Sequence, residues 1–397
     1  MDSGYVKKFI VVILFIPGFL VGCFSPPIPN IEQAIQNADP TVIVPLTNEV
    51  EGAYFRTSLP FVPSPTRGLV AGRIRNRADI NQLETSLMRL ATDYFDSDVV
   101  FIREGQYLSS DFVTQILRVL NEEPVEIFES IIGLNPPLGS ELIFSNQTFE
   151  SNAANPIRPF TFIIEHNFVT IKEDALESRF NLEGVALGLA INPYHWVVDQ
   201  SIGHEASYRM SDEDALAAGQ EIALRLLPII RTIEGLEDVS ILFGIYILRS
   251  YREVIPGNFV ATTFIDVGEN HIASWRPAHE RFIELPDRTN RIHNYDVNIS
   301  EEFQSFINII DTHFPHQHHA IARVHIVERQ VYELSVDFNM SFLGASELIA
   351  FHQLIEEQLA NFSNGYRIKV ITQGLGTLHG VVTRGLSGHI QTTLIDW

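Results

Sequence analysis

Five histidines lie close together in one part of the chain, and imidazole is a common metal ligand. Four of them fall within seven residues and the fifth follows shortly after: His313, His316, His318, His319 and His325. Side chains this close could bind Zn²⁺, Cu²⁺ or Ni²⁺, or become charged together at mildly acid pH. The alternative is a solvated loop after Pro315 that leads into a strand, and the sequence favours this second interpretation.

The motifs of common hydrolases and nucleotide-binding proteins do not occur in the sequence. His204-Glu205 and His279-Glu280 each begin like the helix motif of a zinc protease. Tyr208 and Ile283 occupy the positions where the second histidine must lie. Neither a Gly-x-Ser-x-Gly nucleophile elbow nor a phosphate-binding P-loop is found. The sequence therefore predicts no catalytic residue and no cofactor.

Two short segments place aromatic rings beside polar groups, as binding clefts often do. They are Tyr194-His195-Trp196 and Trp275-Arg276-Pro277. Packing in the core or in a turn is the commoner outcome for such segments. The sequence leaves both interpretations open and favours packing.

Composition excludes several classes of protein. The 397 residues contain 27 Lys+Arg and 49 Asp+Glu, which gives a net charge of −22 at pH 7. This charge repels phosphate backbones, so we expect no nucleic-acid partner. Cys23 is the one cysteine of the sequence, which excludes an internal disulfide and a cysteine-rich metal site.

The N-terminal residues have the parts of a secretory signal peptide. Two lysines precede an apolar run over residues 9–22, and 14 residues are too few for a bilayer-spanning helix, which needs roughly 20. The run ends in Leu20, Val21, Gly22 and Cys23, which looks like the cleavage motif of a bacterial lipoprotein. We therefore expect cleavage before Cys23, acylation of its thiol, and a lipid anchor that holds the chain at the extracytoplasmic face of the cell membrane.

Periodicity in the remaining chain predicts an α+β fold with mainly antiparallel sheets. Apolar residues at helical spacing predict helices over residues 79–95, 110–120, 211–233, 300–314 and 344–362, the first of them capped by Asp79. Ten runs rich in Val, Ile, Phe and Thr predict strands between and after them. The order does not alternate strictly between strand and helix, which disfavours a doubly wound fold.

The order of the predicted elements also indicates a duplication. Two strands, a helix and a strand occur over residues 159–248, and the same order returns over residues 320–372. We therefore predict two related α+β repeat units at residues 41–235 and 236–397. Residues 1–22 form the predicted signal peptide, and the proline-rich residues 23–40 form a lipidated tether.

Several blocks of sequence are similar to those of a known family of proteins. The most specific is YFRTSLPF at residues 54–61. The others are SPTRGL at 64–69, NRADI at 76–80, LETSLMRL at 83–90, EGQYL at 104–108, GLNP at 133–136, GLAIN at 188–192 and IPGNF at 255–259. These blocks resemble the CamS family of lipoproteins from Gram-positive bacteria. The resemblance extends from about residue 48 to the C-terminus, and the lipoprotein motif at Cys23 agrees with it independently.

The resemblance implies a two-repeat α+β body without an established enzymatic activity. It also implies that a short peptide trimmed from the signal peptide acts as a mating pheromone that promotes conjugative plasmid transfer. In this chain the corresponding segment is approximately Phe15 to Gly22. Two other functions remain as alternatives: a metal-dependent surface hydrolase that uses the cluster from His313 to His319, and a solute- or ligand-binding lipoprotein.

Overall fold

The computed structural model describes residues 44–45, 53–120, 133–171, 180–199, 203–315, 318–341 and 344–395. The predicted signal peptide, the tether, Cys23 and its cleavage motif lie outside the described residues. Those predictions therefore stay predictions. Residues 43–397 form one compact unit.

The first of two six-stranded sheets has the strand order β12–β11–β10–β7–β6–β3. Its strands are β3 (Phe101–Glu104), β6 (Phe160–Ile171), β7 (Phe180–Ile191), β10 (Ser240–Ile247), β11 (Asn258–Ile265) and β12 (Arg276–Pro277). Strands β7 and β10 are parallel and the other neighbours are antiparallel. Strand β10 is buried along its whole length, which agrees with its run of Ile, Leu and Phe.

The second six-stranded sheet has the strand order β13–β14–β15–β16–β17–β18. Its strands are β13 (Glu280–Leu285), β14 (His318–Val327), β15 (Gln330–Met340), β16 (Arg367–Gly374), β17 (Thr377–Arg384) and β18 (Ile390–Leu394). Strands β15 and β16 are parallel and the other neighbours are antiparallel. Strand β16 alternates buried and accessible residues, so one face of this sheet packs on a core and the other does not.

Six α-helices and three small hairpins complete the described part of the chain. The helices are α1 (Arg67–Arg73), α2 (Arg77–Ala91), α3 (Ser110–Ile116), α4 (Asp212–Ile230), α5 (Ile299–His313) and α6 (Ala345–Leu359). The two-stranded pairs are β1 (Val44–Pro45) with β2 (Ser58–Leu59), β4 (Glu141–Phe144) with β5 (Gln147–Glu150), and β8 (Tyr194–Asp199) with β9 (His204–Arg209).

The predicted duplication is confirmed, and it extends further than the sequence indicated. In each sheet the chain first forms an edge strand, which is β3 in one sheet and β13 in the other, and then a helix. An antiparallel hairpin follows, and a crossover helix then leads to a strand that is parallel to the second strand of that hairpin. The crossover helix is α4 in the first unit and α6 in the second. Each sheet then ends with two antiparallel strands, so the two strand orders correspond along all six positions.

The change from one sheet to the other falls later in the chain than the predicted unit boundary. Residues 235 and 236 lie between α4 and β10, and both of these elements belong to the first sheet. The first sheet ends at Pro277 and the second begins at Glu280. The sequence did not indicate this position for two reasons. Strand β12 is two residues long. Strand β13 has charged residues at 280, 281 and 284, so its sequence does not predict a strand.

Helix α2 begins two residues before its predicted start. Asn76 is the N-cap, and its Oδ1 accepts a hydrogen bond from the Ala78 N–H, whereas the sequence placed the cap at Asp79. Asp79 is instead fully buried in the first turn, where it accepts hydrogen bonds from the Tyr246 hydroxyl, the Arg249 N–H and the Gly257 N–H. This carboxylate therefore joins α2 to β10 and to the segment before β11.

Each sheet has its own hydrophobic core. Leu83 and Leu87 of α2 pack on the first sheet from one side, and α4 covers it with residues such as Leu226. Phe306 of α5 and Phe351 of α6 pack against the second sheet. The first sheet is thus covered on both faces, and the second sheet keeps one face polar.

Candidate functional site

Helix α2 lies between the first sheet and the polar face of the second. Leu83, Leu87 and Leu90 are at steps of three and four and face the first core. Ser86 and Arg89 lie along one edge of this apolar face, where both contact Glu280 of the second sheet. One helix therefore provides an apolar surface to one repeat and hydrogen-bonding groups to the other.

The carboxylate of Glu280 is the centre of the contacts between the repeats. Its side chain is fully buried. Oε1 accepts a hydrogen bond from the Ser86 hydroxyl at 2.7 Å and lies 2.7 Å from His325 Nε2. The Arg89 guanidinium lies 3.2 Å from the same oxygen, and Oε2 is 3.3 Å from the Phe259 N–H. Groups from both repeats thus share this one buried charge.

The environment of Glu280 favours its charged form. Burial alone would raise the pKa of Glu280, but the hydrogen bond with His325, the charge of Arg89 and the Ser86 hydroxyl together hold its pKa below the ordinary value. His325 also stacks on Phe282, with 4.3 Å between ring centroids. The imidazole is therefore fixed on both its edge and its face.

A cavity of about 510 Å³ lies beside this network, between α2 and the polar face of the second sheet. Most of its lining groups can form hydrogen bonds: Tyr54, Gln82, Thr85, Ser86, His325, Tyr332, Glu333, Arg367, Lys369 and Thr383. The hydroxyl groups of Tyr54 and Tyr332 are 3.2 Å apart, and Arg367 Nη1 donates to the Tyr332 hydroxyl at 2.6 Å. The volume is within the range of about 300–1,000 Å³ for small-molecule sites.

The arrangement of these groups suits binding better than nucleophilic catalysis. Ser86 and His325 both contact Glu280 Oε1, so the imidazole is not directed at the serine oxygen as a general base would be. Gln82 Nε2 also donates to the Ser86 hydroxyl at 2.5 Å. The cavity therefore offers fixed donors and acceptors to a polar ligand.

The histidines of the predicted metal cluster that the structure describes lie on different elements. His313 ends α5, and its Nδ1 is 2.9 Å from the Ile309 carbonyl oxygen. His318 and His319 begin β14, His316 lies outside the described residues, and His325 contacts Glu280. In the ranges that the structure describes, no three His, Cys, Asp or Glu side chains are grouped closely enough to hold a metal ion. Metal binding that involves His316 stays a prediction.

The aromatic segments have different environments. His195 is buried against Phe144 and Phe149, as the packing interpretation predicted. Trp196 lies 5.1 Å from the Tyr251 ring. The Arg75 and Arg252 guanidinium groups approach the same indole at 5.6 and 5.2 Å. In the other segment, Arg276 forms an exposed ion pair with Asp93.

The EGQYL block at residues 104–108 packs its backbone against a buried glutamate, Glu165. The N–H groups of Gln106, Tyr107 and Leu108 donate to the Glu165 carboxylate at 2.9 to 3.1 Å. A Cβ atom at Gly105 would lie 2.5 Å from the Glu165 side chain. Glycine at this position therefore lets the loop approach the carboxylate. Glu165 was not among the predicted site residues, because the sequence does not show which glutamates are buried.

Fold and site together define a duplicated α+β protein in which a bridging helix and a buried charged network join two six-stranded sheets. The chain belongs to the CamS family, because the family model described as "CamS sex pheromone cAM373 precursor" matches residues 61–387. The resemblance inferred from the sequence blocks is thereby confirmed. No curated protein sequence matches this chain.

Two solved structures share the fold. A sex pheromone precursor from Lactobacillus salivarius subsp. salivarius UCC118 has a TM-score of 0.75 and 19% identity, over 90% of this chain and 100% of that one. The C-terminal domain of the sex pheromone staph-cAM373 precursor from Staphylococcus aureus has a TM-score of 0.64 and 19% identity, over 82% of this chain and 98% of that one. These similarities confirm the α+β architecture.

The described helices do not include a membrane span: within those residues, none is both long enough and apolar enough to cross a bilayer.

Proposed function

We propose that this chain is a surface lipoprotein whose signal peptide is the source of a peptide pheromone and whose folded body binds a partner or ligand without catalysis. The observation that carries the proposal is the family match over residues 61–387 together with the sequence Leu20-Val21-Gly22-Cys23. The polar cavity beside α2 supports a binding role for the body. No observation on the described residues favours the metal-dependent hydrolase.

Replacement of Cys23 by alanine is expected to abolish lipid attachment. The thiol is the acyl acceptor of the proposal, and alanine at this position has no nucleophilic group. Cells that express the full-length chain are grown with radiolabelled palmitate, and the label is followed on the protein. We expect label on the wild type and none on Cys23→Ala.

Ser25→Ala is the matched control, because it removes a nearby hydroxyl group that the proposal does not use. It is expected to keep the label. Equal labelling of Cys23→Ala and the wild type would exclude Cys23 as the attachment point.

The pheromone part of the proposal predicts activity in a free peptide. The synthetic peptide with the sequence of residues 15–22, FIPGFLVG, is expected to increase plasmid transfer from responder cells. A peptide with the same composition in scrambled order is the control. If the two peptides give the same transfer frequency in every responder strain tested, the pheromone proposal is wrong for this chain, while the lipid anchor is unaffected.

A further inference from the structure

Four arginines from four separate segments line one recess at the junction of the two sheets. Arg209 ends β9, Arg249 follows β10, Arg281 lies in β13, and Arg291 begins a short 3-10 helix at Arg291–Asn294. The recess has a volume of about 380 Å³. It is distinct from the cavity beside α2, whose basic lining residues are Arg367, Lys369 and Arg384.

Carboxylates neutralise these arginines only in part. Arg209 forms an ion pair with Asp212, which also lines the recess. Arg249 and Arg291 each have a carboxylate oxygen at 3.9 Å, beyond hydrogen-bond distance, and the Arg281 guanidinium lies 5.8 Å from the Tyr295 ring centroid. The other carboxylate at the recess, Glu280, is already held by Arg89 and His325. Guanidinium donors are therefore available to a ligand.

This concentration of positive charge contrasts with the chain as a whole, which carries a net charge of −22. Guanidinium groups held close together repel each other unless an anion lies between them. The planar fork of arginine matches the paired oxygens of phosphate and carboxylate groups. The recess thus has the charge and the donor geometry of an oxyanion site.

The remaining walls of the recess indicate what accompanies the oxyanion. Val260, Pro277 and Ala278 provide some apolar surface, Ile247 and Phe282 are buried, and Asn258 and His279 provide polar groups. A bare inorganic ion would leave Val260, Pro277 and Ala278 uncovered. We propose that the recess binds a phosphate ester, with the phosphate among the arginines and its organic part against these three residues.

The full-length chain, kept in mild detergent, is titrated by calorimetry with glycerol 3-phosphate and, for comparison, with inorganic phosphate at low salt. We expect a dissociation constant below about 1 mM for glycerol 3-phosphate and weaker binding of inorganic phosphate. Affinity should fall with added salt, because salt screens the charges. The double variant Arg281→Gln/Arg291→Gln is expected to bind at least about tenfold more weakly. The side chains of Arg281 and Arg291 are exposed, so we expect the double variant to keep the fold. Circular dichroism of the variant checks this.

Arg288→Gln is the matched control: it removes an exposed arginine of the neighbouring loop that does not line the recess. It is expected to bind like the wild type. The proposal fails if glycerol 3-phosphate gives no binding heat, if inorganic phosphate binds as tightly as glycerol 3-phosphate, or if Arg288→Gln weakens binding as much as the double variant. Dihexanoyl phosphatidylglycerol is the second arm: tighter binding than that of glycerol 3-phosphate assigns the phosphate to a lipid headgroup, and weaker binding assigns it to a soluble ester.

Discussion

Replacement of Glu280 by glutamine is expected to lower the free energy of unfolding by about 3 to 5 kcal/mol. Glutamine keeps the size of the side chain but removes the charge that Arg89 and His325 share. Its amide group also turns a hydrogen-bond donor toward groups that need an acceptor. The cost is large because Arg89 is itself 15% exposed and would keep its charge without a partner at this site.

Urea denaturation of the wild type and two variants measures this effect. Glu284→Gln is the matched control, because Glu284 lies on the same strand and is exposed. Its expected change is within about 0.5 kcal/mol. A loss for Glu280→Gln no larger than that of Glu284→Gln would show that the buried network does not stabilise the fold.

The same pair of proteins gives a pH dependence with a defined sign. The pKa of Glu280 is lowered in the folded state, so its charge stabilises the fold above the ordinary value of 4.5. This contribution is lost as the pH falls through the folded-state pKa. The difference between wild type and Glu280→Gln should therefore be largest near neutral pH and decrease on acidification below about pH 4.5. A difference that does not change with pH would indicate that shape, and not charge, explains the loss.

Alanine at Gly257 is expected to destabilise the fold by more than about 4 kcal/mol, or to prevent folding. A Cβ atom there would overlap the Ile247 carbonyl oxygen and would lie 2.9 Å from the Tyr246 ring. Ile247 is paired with Asn258 in the register of β10 and β11, so its carbonyl cannot retreat without a break in the sheet. The Gly257 N–H also donates to Asp79 at 2.5 Å, which fixes the backbone from the other side.

Gly72→Ala is the control with the same chemical change. Gly72 lies in α1, and no atom lies within 4 Å of its added Cβ. Alanine has the higher helix propensity, so this variant should be more stable than the wild type by up to about 1 kcal/mol. Denaturation midpoints for the two variants should thus shift in opposite directions. A Gly257→Ala midpoint equal to that of the wild type would contradict the assigned packing.

Features that depend on local pattern were predicted well from the sequence. Helix α2 was recognised from Leu83, Leu87 and Leu90, and the hairpin of β14 and β15 from its two β-like runs. The sequence runs place the hairpin turn at Arg329 and Gln330, one residue late, because Glu328 and Arg329 form it, with φ values of +48° and +65°. A two-residue turn of type I′ needs positive φ at both positions, and this favours Asn, Asp and Gly. Glutamate and arginine are not typical of such a turn, so the sequence does not indicate its exact position.

Features that depend on distant contacts could not be predicted. Glu280 follows His279 in what looked like a failed protease motif, and only the folded chain brings it to Ser86 and His325. Strand β13 was missed for the same reason, since a glutamate is an unusual residue at an inward position of a strand. The IPGNF block could be recognised as a family feature, but its cause, the carbonyl of Ile247 against Gly257, is visible only in three dimensions.

The position of Glu280 has a consequence for resistance to proteolysis. The Glu280 carboxylate contacts Ser86, Arg89 and Phe259 of the first repeat and His325 of the second. The opening of either repeat would therefore expose this carboxylate to solvent or remove some of its partners. Partial unfolding of one repeat therefore breaks this network in addition to the core of that repeat. A protease that cuts after the opening of one repeat therefore meets a higher barrier than the core of that repeat alone would provide.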